Sequence, residues 1–254
     1  MPRIAFIDTE VQAQTGRILD IGATNDQDGV FHANALEDFH AFIDSTPFLC
    51  GHNIIDHDKV CLEKWMGPEK LSNFRFIDTL FLSALLFPEK PYHRLVKDDK
   101  LDPENLNNPY TDATKAKDLF YDEVEKFRQT DPLLQQIYFK LLGDSEYFRS
   151  FFTFVQLSES AESAETAETA ETAETAETPE TPEQLIRKYF HGQCCENKTL
   201  SVFINEDPVA LAYTLALITY HSLESITPPW ILYRFPNVER YLFQLRSDPC
   251  LPGY

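Results

Sequence analysis

The chain has 254 residues, 43% of them hydrophobic, with 20 Phe and 11 Tyr; this is enough apolar material for one large domain or two small ones, and it excludes wholesale disorder. The formal net charge of −19 argues against strong, non-specific binding of duplex nucleic acid by this chain alone, although nine of the negative charges are glutamates between Ser158 and Glu183, a stretch with no Lys or Arg. No apolar run is long enough for a transmembrane helix, and the Ile4–Ile7 run is too short and too soon closed by Asp8 for a signal peptide, so the chain reads as cytoplasmic with no membrane partner.

Along the chain, Arg3 to Asp8 predicts a first strand. Arg17 to Thr24 and Gly29 to Ala33 predict the next two, joined by the turn-forming Asn25-Asp26-Gln27-Asp28-Gly29. Leu36, Phe39, Phe42 and Ile43 fall at helical spacing. Phe48 to Gly51 predicts a fourth strand, and Lys59 to Met66 a helix ending before Pro68. Phe74 to Ile77 predicts a fifth strand, leading into an apolar helix from Thr79 to Phe87. Tyr110 to Phe120 predicts another helix. Three early strands followed by strands alternating with helices imply an α/β fold, a mixed sheet flanked by helices. Leu119 to Val155 is helical and aromatic. Its spacing favours core packing over a surface for stacking bases.

The stretch from Ser160 to Pro182 repeats Ala-Glu-Thr or Ala-Glu-Ser triplets. It carries no large apolar residue and reads as a charged spacer. Beyond it, Glu183 to Phe190, Pro208 to Ser222 and Val238 to Leu245 predict three short helices, with Pro228-Pro229-Trp230 breaking the chain between the last two. The expected organisation is therefore a first domain over residues 1–157 (core 3–120, helical extension 121–157), a linker over 158–183, and a small helical module over 184–254. The ending Cys250-Leu251-Pro252-Gly253-Tyr254 reads as the cut end of a longer protein. Cys50, Cys61, Cys194, Cys195 and Cys250 form neither a disulfide framework nor a C-x-x-C pair. Cys50 and Cys61 read as buried thiols, and adjacent cysteines near His191 have poor zinc spacing.

Three segments carry chemistry. In Ile4-Ala5-Phe6-Ile7-Asp8-Thr9-Glu10, residues two apart on a strand share a face, so Asp8 and Glu10 project together. Two close carboxylates raise one another's pKa unless a cation lies between them, and oxygen ligands suit a hard divalent ion. In Phe48 to Asp58 an apolar strand stops at Gly51-His52-Asn53, and Asp58 stands where a helix begins; it is either a helix cap or a ligand. In Leu106-Asn107-Asn108-Pro109-Tyr110-Thr111-Asp112-Ala113, Asp112 also lies near a helix start, with the same two readings.

Asp-x-Glu on the first strand, Gly-His-Asn-(x)4-Asp about fifty residues on, and Asp-Ala opening a helix about fifty further on together resemble the DEDD (DnaQ-like) 3′→5′ exonuclease superfamily. Leu19-Asp20-Ile21-Gly22-Ala23 and Phe76-Ile77-Asp78-Thr79-Leu80 resemble its second strand and the turn after its second motif. The likeness covers Arg3 to Phe120. His93-Arg94-Leu95-Val96-Lys97-Asp98 and Leu106-Asn107-Asn108-Pro109 further resemble an exonuclease domain fused ahead of bacterial RecQ-type helicases. No helicase phosphate loop occurs, so helicase activity would reside elsewhere in the polypeptide.

The resemblance implies a ribonuclease-H-like fold and a metal-dependent exonuclease acting on nucleic acid ends, single-stranded DNA being favoured and RNA an alternative, in DNA repair or processing. It implies two divalent cations, Mg2+ or Mn2+, held by Asp8, Glu10, Asp58 and Asp112. Thr9, Val11, His52 and Asn53 would line the pocket for the terminal nucleotide, with His52 alternatively a partner for one of the acids. In one branch of the family a histidine general base sits five residues before the last aspartate, where this chain has Asn107. In another branch a tyrosine sits four before, where it has Asn108. His93 is the substitute base to consider, and a surface histidine is its other reading. The departure keeps a second expectation open, a catalytically weak or inactive end-binding module attached to a helicase.

Overall fold

The computed structural model describes residues 2–90, 92–95, 108–156, 180–191, 200–220 and 227–246. These fall into two compact units: one drawn from Met1–Leu82, Arg94–Glu125 and Ser150–Glu165, the other from Ser83–His93, Lys126–Arg149 and Thr166–Tyr254.

The first unit is built on a five-stranded mixed sheet: β1 (Ile4–Val11), β2 (Ile18–Asn25), β3 (Val30–Ala33), β4 (Phe48–Gly51) and β5 (Arg75–Asp78), in the order β3-β2-β1-β4-β5. The pairs β1–β2 and β2–β3 are antiparallel, whereas β1–β4 and β4–β5 are parallel. Helices α1 (Leu36–Ile43), α2 (Asp58–Met66) and α3 (Pro68–Leu71) accompany the sheet, with the first parts of α4 (Thr79–Leu86) and α5 (Pro109–Gln129), whose residues from Ser83 and from Lys126 belong to the second unit. Strand β1 runs three residues past its expected end because its antiparallel partner continues the ladder to the pair Val11–Ile18. The tight connection closes with Gly16 in the left-handed region, and Lys64 Nζ and Trp65 Nε1 donate to the carbonyls of Thr15 and Gly16 at 2.7 Å each.

Alternation along β1 sorts its side chains. Ala5 and Ile7 enter an apolar core with Phe39, Ile43, Leu62 and Phe76. Phe6 points to the opposite face, where its ring meets those of Phe120 and Tyr121 on α5. Helix α5 is longer than the predicted Tyr110–Phe120 because Ala113, Ala116, Phe120, Val124 and Phe127 keep a buried stripe going at helical spacing. Phe154, in a helix over residues 149–156 (α7), closes this side edge-on against Phe48 and Phe120.

The second unit is helical, and helix α6 (Pro132–Leu142) starts where Asp131 accepts from the Leu133 amide. Helix α8 (Pro182–Tyr189) starts in a reciprocal capping box between Thr181 and Gln184. Helices α9 (Leu200–Glu206), α10 (Pro208–Thr219), α11 (Pro229–Arg234) and α12 (Asn237–Arg246) follow. Nine consecutive residues of α10, Ala210–Ile218, are buried, so this helix is apolar all round and forms the centre of its unit. Phe203 and Tyr241 stack across α9 and α12 at 4.1 Å. Pro228 and Pro229, expected to break the chain between α10 and α12, do separate them, and Pro229 also opens the short α11 at a position where a missing N–H costs nothing. Among the described residues, no helix is long and apolar enough to cross a membrane. The Ala-Glu-Thr tract up to residue 179, together with Cys194, Cys195 and Cys250, lies outside the described residues.

Candidate functional site

The four predicted acids lie on three separate elements of the first unit. Asp8 and Glu10 share the α5-facing side of β1, Asp58 is the first residue of α2, and Asp112 sits in the first turn of α5. Their proximity is felt at Asp8, whose carboxyl is pushed up to about 8. Burial is the largest cause, followed by the negative charges of Asp58, Asp112 and Glu10, with His57 opposing them.

Glycine allows Asp112 to reach this place. Gly22 is the cross-strand partner of Asp8, and a Cβ there would lie 1.9 Å from the Tyr110 nitrogen and 2.1 Å from the Pro109 carbonyl carbon. The start of α5 therefore rests directly on the backbone of β2. Asn108 caps that start, its side-chain oxygen accepting from the amides of Tyr110 (3.0 Å) and Thr111 (3.3 Å). Asn108 is thus engaged in holding the helix. Asn107 and residues 96–106 lie outside the described residues.

Asp58 is buried, and one of its oxygens accepts from both the backbone N–H and the hydroxyl of Thr9, each at 2.7 Å. Thr9, predicted to line a nucleotide pocket, is itself buried and spends both donors on this acid. Val11, also predicted there, lies half-buried at the end of β1, just past a register shift.

The loop that delivers Asp58 is pinned by a residue to which the sequence reading assigned no role. Buried Asp78, at the end of β5, accepts from the amides of Asn53 (2.9 Å), Ile55 (3.0 Å) and Leu80 (2.9 Å). Burial raises its pKa to about 7 against the pull of these three bonds. Asn53 takes a left-handed φ of 64°, a turn that asparagine tolerates better than most residues. His52 is half-buried and its Nδ1 meets the Thr79 hydroxyl at 2.9 Å. The signal for Asp78 was its position at a strand-to-helix turn facing Gly-His-Asn, but nothing local shows that its acceptors serve a loop 25 residues earlier.

His57 was also passed over. Its Nδ1 lies 3.7 Å from Asp58 Oδ1. Asp58, by hydrogen bonding and then by charge, is the chief cause raising its pKa; Asp8 and Glu10 add to this and burial opposes it. At that distance the contact is an ion pair more than a hydrogen bond. His93 belongs to the second unit. It is buried, its Nδ1 meets the Ser83 hydroxyl at 2.8 Å, and its Nε2 has no hydrogen-bond partner among the described residues. Burial, helped by the Lys90 charge, lowers its pKa to about 4.

The donor chemistry of the cluster fits a hard divalent cation: every candidate ligand is a carboxylate oxygen, and burial, with the neighbouring carboxylates, holds Asp8 towards its neutral form. Among the described residues, no three His, Cys, Asp or Glu side chains are drawn into a ready-made metal cage. One oxygen of Asp58 is instead turned onto Thr9. No family model, curated protein or solved structure matches the chain.

Proposed function

We propose that the first unit is a metal-dependent 3′→5′ exonuclease of the DEDD class, hydrolysing phosphodiester bonds at nucleic acid ends, with single-stranded DNA as its substrate. The observation that carries this reading is the approach of Asp58 from α2 and Asp112 from α5 to Asp8 and Glu10 on β1, three elements far apart in the chain, felt as the raised pKa of Asp8. The strand order β3-β2-β1-β4-β5, with one antiparallel and one parallel neighbour for β1, supports a ribonuclease-H-like core.

Asp8, Glu10, Asp58 and Asp112 would hold two Mg2+ or Mn2+ ions. When bound, these supply charge neutralisation at the phosphate and a water acidic enough to ionise near neutral pH. The chain's own residues do the rest. Thr9 orients Asp58 through two hydrogen bonds, Asp78 fixes the loop that delivers it, and Gly22 lets α5 carry Asp112 in. His57, half-exposed beside Asp58 and Asp8, is the group placed to accept a proton at the edge of the acids.

A second reading, an end-binding module with little or no cleavage that positions DNA for a helicase in the same polypeptide, is favoured by two observations. Asn108 serves as a helix cap, and the buried His93 has its Nδ1 engaged by the Ser83 hydroxyl. A 5′-labelled single-stranded DNA and the matching RNA, incubated with Mg2+, Mn2+ or EDTA, separate the readings. Metal-dependent shortening from the 3′ end that is lost in Asp8→Asn establishes the nuclease. Metal-dependent end binding without shortening establishes the module.

A further inference from the structure

His32 lies on β3, the edge strand, with its side chain 42% exposed, yet its ring is held on two sides. Its Nε2 donates to Asp20 Oδ2 at 2.8 Å, and its face lies at 25° to the Tyr110 ring, centroids 6.3 Å apart. An exposed ion pair contributes little to stability, so the fold gains little from fixing this ring. Asp20 is costly as well. It is the direct cross-strand partner of Glu10, and like charges in that relation repel.

The register places this group beside the acids. Asp8, Gly22 and His32 are successive partners across β1, β2 and β3, so Asp8 and His32 share a face of the sheet, two strand spacings or roughly 10 Å apart. Tyr110 stands between them on the glycine, two residues before Asp112. An anion gains little here, since Asp20 already takes the His32 Nε2 and the carboxylates of Asp8 and Glu10 lie on neighbouring strands. What remains is a pair of near-parallel, partly exposed aromatic rings of the kind on which unpaired bases stack.

We propose that His32 and Tyr110, with Asp20 as the positioning residue, form a platform for the base of a nucleotide one or two places upstream of the terminal one. This rests on the nuclease reading above. The test places 2-aminopurine in turn at the last, second-to-last and third-to-last positions of a short single-stranded DNA. Fluorescence is followed by stopped flow with the full chain in Mg2+ and in EDTA.

The expected result is quenching at one upstream position, reduced about five- to a hundredfold in affinity by His32→Ala and Tyr110→Ala and retained in Tyr110→Phe. Asp20→Asn should give an intermediate loss. In steady-state cleavage the alanine variants should raise KM with kcat little changed, and an abasic nucleotide at the same position should do likewise. Quenching unchanged in both alanine variants, or an abasic substrate cut as readily as the intact one by an active enzyme, overturns the platform and leaves the nuclease standing. Neither quenching nor cleavage by the wild type overturns both. Circular dichroism of each variant separates loss of the platform from loss of the fold, and Tyr110→Phe, which keeps the ring, remains decisive if Tyr110→Ala does not fold.

Discussion

Gly22 and Tyr110 meet backbone to backbone: a single methyl group on Gly22 would sit 1.9 Å from the Tyr110 nitrogen. This contact sets how near α5 comes to β2, and hence how near Asp112 comes to Asp8, the strand partner of Gly22. Gly22→Ala is expected to push the helix start outward, costing about 1–3 kcal/mol of stability. It should also weaken metal binding more than its position away from the acids would suggest. Thermal melts with and without Mg2+ check this; a variant as stable and as strongly stabilised by Mg2+ as the wild type would disprove the role given to the contact.

The raised pKa of Asp8 sets a pH dependence. A carboxyl at about 8 in the folded state and near 3.8 when unfolded binds its proton more tightly in the fold. Its contribution to stability is therefore greatest below pH 4 and is lost as pH rises towards 8. In EDTA, stability should fall between pH 5 and 8. Asp8→Asn should flatten that fall, and Mg2+ should restore stability most strongly near pH 8, because the ion replaces the proton. The same substitution should lower cleavage by about a hundredfold or more. Denaturant titrations across pH with both proteins give the answer.

Asp78→Ala leaves three amides of a buried turn without their acceptor. The expected cost is roughly 3 kcal/mol or more, with loss of the Asp58 position as a consequence. Asp78→Asn, which keeps an acceptor oxygen, should cost less. Calorimetric metal titration of the folded variants would show whether affinity follows the loop; unchanged affinity in Asp78→Asn and Asp78→Ala alike would dissociate the two.

His57 and His93 should behave oppositely. His57→Gln is expected to lower kcat, with the remaining activity less dependent on pH, and to leave the fold intact because the side chain is half-exposed. His93→Ala is expected to spare cleavage and to destabilise the protein. Wild-type His93 is held neutral with a pKa near 4. Its contribution is present above the ordinary histidine pKa and is lost as pH falls from about 6.5 towards 4. Equilibrium unfolding at pH 7 and pH 5 should show that loss in the wild type and not in the variant.

The sequence by itself determined the five strands and their approximate bounds, because strand alternation is a local signal, and it offered the four acids as candidates only through the family resemblance of their spacing. It could also place Asp8 and Glu10 on one face, since a period of two needs no tertiary knowledge. Only the tertiary structure decided that Thr9 holds Asp58, that Asp78 pins the Asn53 turn, that Gly22 seats α5, and that His57 lies beside Asp58 and Asp8 while His93 is buried against Ser83. Each of these is a contact across 25 to 90 residues of chain or a burial set by packing, and no window of neighbouring residues carries such information. The helices at Leu200–Glu206 and Pro229–Arg234 were missed for a related reason. Segments of six or seven residues are too short to hold themselves as helices in water and take that form through packing against their neighbours.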